Sequence, residues 1–220
     1  MATIQTTPPA VEPVALADAK AFLRIDTTDE DTLIQSLITT SRLQIEVALG
    51  LALIQQQWSI FLDRWPLPRD PGGAPIQPPS LEYVIPDPRA RLYLDAGAVV
   101  LPITPIQSVD AIRVYADDGT FVTLAPSLFT IDLVSRPARL IARSGSTVPD
   151  PARLLNGIEI AVTAGYGASP ANVPGPITQA LMMLVAHWYE HRDPSEIGKD
   201  TTNIPPAVSL LLAQYAPVRL

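Results

Sequence analysis

The chain of 220 residues contains no cysteine, two histidines and two lysines, Lys20 and Lys199. Without cysteine there is neither a disulfide framework nor a thiolate metal site. Because cysteine is absent and histidine scarce, the usual pairs of a nucleophile and a base are nearly excluded. Few lysines and a net charge of −7 argue against a basic stripe that grips nucleic-acid phosphates.

Long apolar runs are also missing. No run approaches the roughly 20 residues of a membrane helix, so we expect no membrane association. The first residues, "MATIQTTPPAVEPVAL", lack the basic end and the continuous apolar stretch of a signal peptide, and a cytoplasmic origin fits best. Hydrophobic residues make up 47% of the chain, which is enough for a sizeable core.

Proline, by contrast, is abundant, with 24 residues. Eight of them lie between Pro66 and Pro88. Such a stretch cannot continue a helix or lie inside a sheet. We therefore predict a long proline-rich loop at residues 65–91 that projects from the body, as loops that contact a partner often do.

Hydrophobic periodicity predicts helices at both ends of the chain. After an extended arm over residues 1–14 come two helices, the second from about Thr28 to Leu49 with Gly50 as its stop. Residues 52–166 carry short β-forming runs between prolines, glycines and aspartates, which predicts about five to seven mainly antiparallel strands. Asp118-Gly119 is a hairpin turn signal within them.

These patterns predict the α+β class, with N- and C-terminal helices forming a helical body and a mainly antiparallel β region inserted. Residues 1–51 would hold the arm and two helices, and residues 52–168 the β-rich insert with its proline-rich loop. Residues 169–220 would hold a C-terminal helix and a tail, and the helical parts would pack as one body. The residues of the C-terminal helix expected to pack are Leu181, Leu184 and Trp188.

The same helix ends in a motif that can bind zinc. His187, Glu190 and His191 spell H-x-x-E-H, the zinc motif of inverzincin-type peptidases. A catalytic zinc needs a third protein ligand, and the acids that follow lie in the adjacent loop: Asp193, Glu196 and Asp200. We therefore expect a packing helix without metal or cofactor. A zinc hydrolase using His187 and His191 is the less favoured alternative.

Three stretches resemble the head–tail connector (adaptor) proteins of tailed bacteriophages and phage-derived gene transfer agents. The first, "LADAKAFLRIDTTDEDTLIQSLITTSRLQIEVALGLALIQQQW", shows the order helix, acidic joint, long helix and strand. The others are "AVTAGYGASPANVPGPITQALMMLVAHWYEHRDP" and "IPPAVSLLLAQYAPVRL", with an aromatic-glycine strand end before a helix and a proline-hydrophobic ending. Together they cover a little under half of the chain.

The resemblance implies a structural role without enzymatic activity. Members of that family form a ring, typically of twelve copies, below the portal protein of the DNA-filled head. The ring extends the DNA channel and bridges capsid to tail, where a stopper or tail terminator follows, and DNA passes through without specific binding. The implied location is the virion, assembled in the bacterial cytoplasm. Another ring-forming virion part, such as a stopper or tail-completion protein, is the main alternative.

In that family the C-terminal segment docks onto the portal. Carried over to this sequence, the docking residues would be Ile204, Pro205, Leu210, Leu211, Leu212, Tyr215 and Arg219. The competing interpretation is that the leucines only close the helical core. An acidic chain with few lysines is consistent with a channel in which DNA slides without adhering.

Overall fold

The computed structural model describes residues 1–66, 97–191 and 205–216. The chain divides into two compact units, a β unit of Met1–Pro8 with Gln56–Ala164 and a helical unit of Pro9–Gln55 with Gly165–Leu220. The proline-rich loop predicted at 65–91 lies outside the described residues from residue 67 onward.

The helical unit begins with two helices, α1 (Leu16–Leu23) and α2 (Asp31–Leu49). Helix α2 ends as predicted at Gly50, whose φ of 65° places it in the left-handed region where glycine carries no penalty. Later in the chain come α3 (Gly175–Glu190), with a proline in its first turn, and α4 (Pro206–Leu212), followed by a 3-10 turn at Ala213–Tyr215.

The core of the helical unit is built from the apolar stripes of these helices, because residues three and four apart share one helix face. Helix α3 contacts α1, α2 and α4. The buried residues at the centre are Ile34, Ile38 and Ile45 of α2, Ile177, Leu181 and Leu184 of α3, and Val208 and Leu212 of α4.

The strands of the β unit are β1 (Ala2–Thr7), β2 (Gln56–Leu62), β3 (Val99–Val100), β4 (Ile106–Tyr115), β5 (Phe121–Leu124), β6 (Phe129–Asp132), β7 (Arg139–Ala142) and β8 (Ile158–Ala164). Five of them form an antiparallel sheet in the order β1-β2-β8-β4-β5. A second sheet has the order β3-β7-β6. The predicted α+β class is confirmed.

The centre of the larger sheet has one apolar and one polar face. Ile60 and Ile112 both lie opposite Ile160 of β8, and all three are fully buried. Since neighbouring residues of a strand point to opposite faces, Ser59 and Glu159 lie on the other face. That face carries the polar network described below.

The hairpin predicted at Asp118-Gly119 joins β4 to β5. Gly119 has a φ of 85°, and the backbone N–H of Ala116 donates to the carbonyl of Thr120 across the turn. The carboxylate of Asp118 accepts hydrogen bonds from the backbone N–H and the hydroxyl of Thr120. These contacts hold the chain in the turn that the Asp-Gly sequence predicts.

The first residues, predicted as an extended arm, are extended but form an edge strand. Strand β1 pairs antiparallel with β2, with Ala2 opposite Phe61 and Gln5 opposite Trp58. Because the partner strand lies some fifty positions away in the sequence, no local pattern could indicate the pairing.

Across the described residues, no helix combines the length and apolar character needed to cross a membrane.

Candidate functional site

Helix α4 presents different residues to its own core and to solvent. Val208 is fully buried and Leu212 is 8% exposed, one helical turn apart, whereas Leu210 is 78% exposed. Leu211 and Tyr215 are partly buried against the same core. The structure therefore does not bring the predicted docking leucines onto one surface, because a helix turns neighbouring residues by about 100°.

The remaining predicted docking residues flank α4. Pro205 precedes the helix, and its carbonyl accepts hydrogen bonds from the backbone N–H groups of Val208 and Ser209. Ile204 and Arg219 lie outside the described residues.

Of the packing residues expected in α3, Leu181 and Leu184 lie in the helical core, and Trp188 is partly buried against it.

The histidine motif lies where α3 ends. The rings of His187 and His191 stack with centroids 4.7 Å apart, and His191 Nδ1 lies 2.9 Å from the carbonyl oxygen of His187. Glu190 is exposed. In residues 1–66, 97–191 and 205–216, no three His, Cys, Asp or Glu side chains are grouped to hold a metal. Asp193, Glu196 and Asp200 lie outside these ranges.

A buried ion network fastens the segment before α1 to α2. Arg42, 6% exposed, donates from Nε to Glu12 at 2.8 Å and from Nη1 to Glu46 at 2.8 Å. Thr39 also donates to Glu12, and the backbone N–H of Leu53 donates to Glu46. Burial alone would lower the pKa of Arg42, but the hydrogen bonds and charges of both carboxylates outweigh it and raise the pKa.

A second network lies on the polar face of the larger sheet. The buried carboxylate of Glu159 accepts from the Ser59 hydroxyl at 2.7 Å, the Tyr115 hydroxyl at 2.7 Å and Arg113 at 3.0 Å. Burial would raise the pKa of Glu159, but the hydrogen bonds from Tyr115, Ser59 and Arg113 outweigh it and lower the pKa. The three donors all meet on the Glu159 carboxylate, which makes this a structural network.

Sequence reasoning missed both networks. Arg42 did leave a signal, because it falls between Ile38 and Ile45 on the apolar stripe of α2. A charge at such a position indicates a buried partner. Glu159 left a similar signal within the apolar run "GIEIAV", but its partners are contributed by strands far away in the sequence.

The negative charge is concentrated in the helical unit. By sequence, that unit holds eleven acidic and six basic residues, while the β unit holds eleven and nine. Part of the excess lies at the joint between α1 and α2, where Asp26 and Asp29 are exposed. The described residues therefore carry two buried polar networks and an exposed acidic joint.

Residues 13–93 match the model of a family described as phage gp6-like head-tail connector protein. Among the described residues the match includes α1, α2 and β2. This segment is therefore similar to head–tail connector proteins, and the resemblance predicted from the sequence is confirmed over residues 13–93.

Solved structures share the fold along the whole chain. A chain in the neck of an empty gene transfer agent (GTA) particle is 23% identical with a TM-score of 0.73, and the match covers 100% of this chain and 97% of that one. A chain of the native GTA virion is 22% identical with a TM-score of 0.72 at the same coverage. One from a native GTA neck computed with C12 symmetry is 21% identical with a TM-score of 0.66, again at that coverage. No curated protein matches the chain.

Proposed function

We propose that the protein is a structural head–tail connector of a phage or gene-transfer-agent virion, without enzymatic activity. It forms a ring of twelve copies below the portal, extends the DNA channel and bridges capsid to tail. The observation that carries the proposal is the connector-family match over α1, α2 and β2. The fold shared over the full length with chains of GTA necks supports it.

The charge of the chain supports a passive DNA channel. DNA is a polyanion, and proteins that hold it neutralise its phosphates with lysine and arginine. A net charge of −7 disfavours such adhesion. DNA would then pass through the ring without being bound, and assembly of the ring would take place in the bacterial cytoplasm.

For docking onto the portal, we propose α4 as the contact element and Leu210 as its outward anchor. Val208 and Leu212 hold the helix on the body, so Leu210 can enter an apolar groove without detachment of the tail. Pro205 lies directly before the helix, and its ring fixes the backbone φ angle there. Ile204, Leu211, Tyr215 and Arg219 would border this contact.

Portal docking can be tested with two exposed apolar residues, one in α4 and one in the β unit. Leu210→Ser should weaken binding to the cognate portal about tenfold or more, since a central interface leucine is lost, while the melting temperature stays unchanged. The control, Val134→Ser, removes a residue that is 93% exposed in the β unit and should leave portal binding unchanged. Equal binding by Leu210→Ser and wild type would contradict the docking proposal.

The ring itself can be tested by native mass spectrometry with negative-stain images, first on the protein alone and then with portal. We expect a closed ring near twelve copies in at least one of these conditions. A protein that stays monomeric in both contradicts the connector role. Binding to a tail-side component but not to portal would instead identify a stopper or tail-completion protein.

A further inference from the structure

We propose that a patch on the β unit binds the acidic joint between α1 and α2 of a neighbouring copy, and that this contact joins copies in the ring. The patch consists of Arg113, Tyr115, Phe121 and Arg153 with the adjoining Leu154 and Leu155. The inference rests on the ring-forming role proposed above. Beyond that role, it identifies the two surfaces that meet between neighbouring copies.

The first part of the patch is a continuous row of arginines and aromatic rings. The guanidinium of Arg153 lies 5.6 Å from the ring centroid of Tyr115, whose ring is 5.5 Å from that of Phe121. Arg113 lies 5.4 Å from the Phe121 centroid on the same row. Phe121 is 52% exposed. Arginine and aromatic residues are enriched in interface cores and among hot spots.

The second part is a pair of leucines held out by a fixed loop. Leu154 and Leu155 are 73% and 69% exposed. The loop is tied down on both sides, since Arg153 N donates to the Tyr115 carbonyl at 3.4 Å and Asn156 N donates to the Asp63 carboxylate at 2.8 Å. Because the loop is already ordered, a partner that binds the leucines loses little conformational entropy.

Among the six residues of the patch, the charge without an ion pair is that of Arg153. Arg113 is paired with Glu159, whereas Arg153 forms no ion pair within the described parts of the chain. The adjoining turn carries two exposed acids, Asp117 and Asp118, and Asp118 accepts hydrogen bonds from the backbone N–H and hydroxyl of Thr120. An acidic partner with an apolar side chain therefore complements the patch.

The chain carries such a surface in its other unit. At the joint of α1 and α2, Asp26 and Asp29 are exposed, and Phe22 at the end of α1 is 42% exposed. Arg24 is the one basic residue from Phe22 to Asp29, so the net charge of the joint is negative. Two different, complementary surfaces on one chain make a heterologous contact, which closes into a ring when the rotation permits.

The test is a charge exchange under the condition in which the wild-type chain forms rings, alone or on portal. Arg153→Glu should reduce ring formation more than about tenfold, because like charges then face each other. Adding Asp26→Arg should restore assembly to within about threefold of wild type. Asp26 is chosen because a base at position 29 would lie at the positive end of α2.

A second variant and two controls separate this contact from general surface effects. Leu154→Ser with Leu155→Ser removes the apolar part and should also reduce assembly more than about tenfold. Arg136→Glu and Val134→Ser change an exposed arginine and an exposed apolar residue outside the patch, and should assemble like wild type. Native mass spectra give the fraction in rings, and melting temperatures check that each variant folds.

Each result decides the inference. Loss of rings in both patch variants, with rescue by Asp26→Arg and normal controls, supports it. Ring formation at the wild-type level by the patch variants overturns it, and so does loss without rescue. If the wild-type chain forms no ring in either condition, the connector proposal itself fails, which is a separate outcome.

Discussion

Replacing Arg42 with methionine would remove a buried guanidinium and leave its two partners in place. Arg42 is held by Glu12, whose side chain is 25% exposed, and by Glu46, whose side chain is 8% exposed. In Arg42→Met the aliphatic volume is retained. The dominant effect is therefore electrostatic, because Glu46 is left charged and buried without its cation.

The magnitude follows from the burial of the three groups. Removing one partner of a buried pair costs about 3–5 kcal/mol. Glu12 can regain part of its hydration, so we expect the lower part of that range, about 3 kcal/mol in the free energy of unfolding. For a chain of this length the melting temperature would fall by roughly 6–12 °C.

The assay is chemical and thermal denaturation followed by circular dichroism, with Arg139→Met as the matched control. Arg139 pairs with Asp132 at 2.8 Å, but its side chain is 44% exposed, so its loss should cost less than about 1 kcal/mol. If Arg42→Met loses no more than the control, the network does not stabilise the helical unit as argued. A double-mutant cycle with Glu12→Gln then measures the coupling directly.

Three further predictions concern the pH dependence of stability, the stability of two glycine variants and the zinc content of the protein. Because the folded pKa of Glu159 is lowered, its stabilisation is present above the ordinary value of 4.5 and is lost as pH falls through the folded pKa. Glu159→Gln should therefore be less stable at neutral pH and lose less stability on acidification, as urea unfolding at several pH values would reveal. Gly165→Ala should cost about 2 kcal/mol or more, because its φ is 126° and a Cβ would lie 2.5 Å from the Ile54 carbonyl oxygen. In Gly175→Ala the Cβ meets nothing within 4 Å, so the melting temperature should be unchanged or slightly higher; equal losses in the two variants would contradict the argument. Protein purified without chelator should contain far less than one zinc per chain by elemental analysis; stoichiometric zinc that is lost in His187→Ala would revive the hydrolase alternative.

Much of the fold could be predicted because its signals are local. The stripe of α2, the glycine after it and the Asp-Gly turn each depend on residues within a few positions of one another. The family resemblance also rested on local order, in the segment of helix, acidic joint, helix and strand. Strand β1 was missed because its pattern, "ATIQTT", becomes a strand only beside β2.

The predicted docking leucines show that the sequence alone also does not determine which residues share a surface. The sequence places three leucines together at 210–212, and the rotation of the helix separates them into one exposed, one partly buried and one buried residue. Composition identifies the segment as apolar. The direction of each side chain depends on which face of α4 meets α3.

By itself, the sequence determined the α+β class, the approximate positions of the main helices, the acidic character and the resemblance to the connector family, because periodicity, turn residues and charge are properties of neighbouring positions. Only the tertiary structure decided which charges are buried and which apolar residues are exposed. Arg42 with Glu12, and Glu159 with Ser59 and Arg113, meet across long sequence separations. The cost of burying a charge is met by partners that the chain brings together only when it folds.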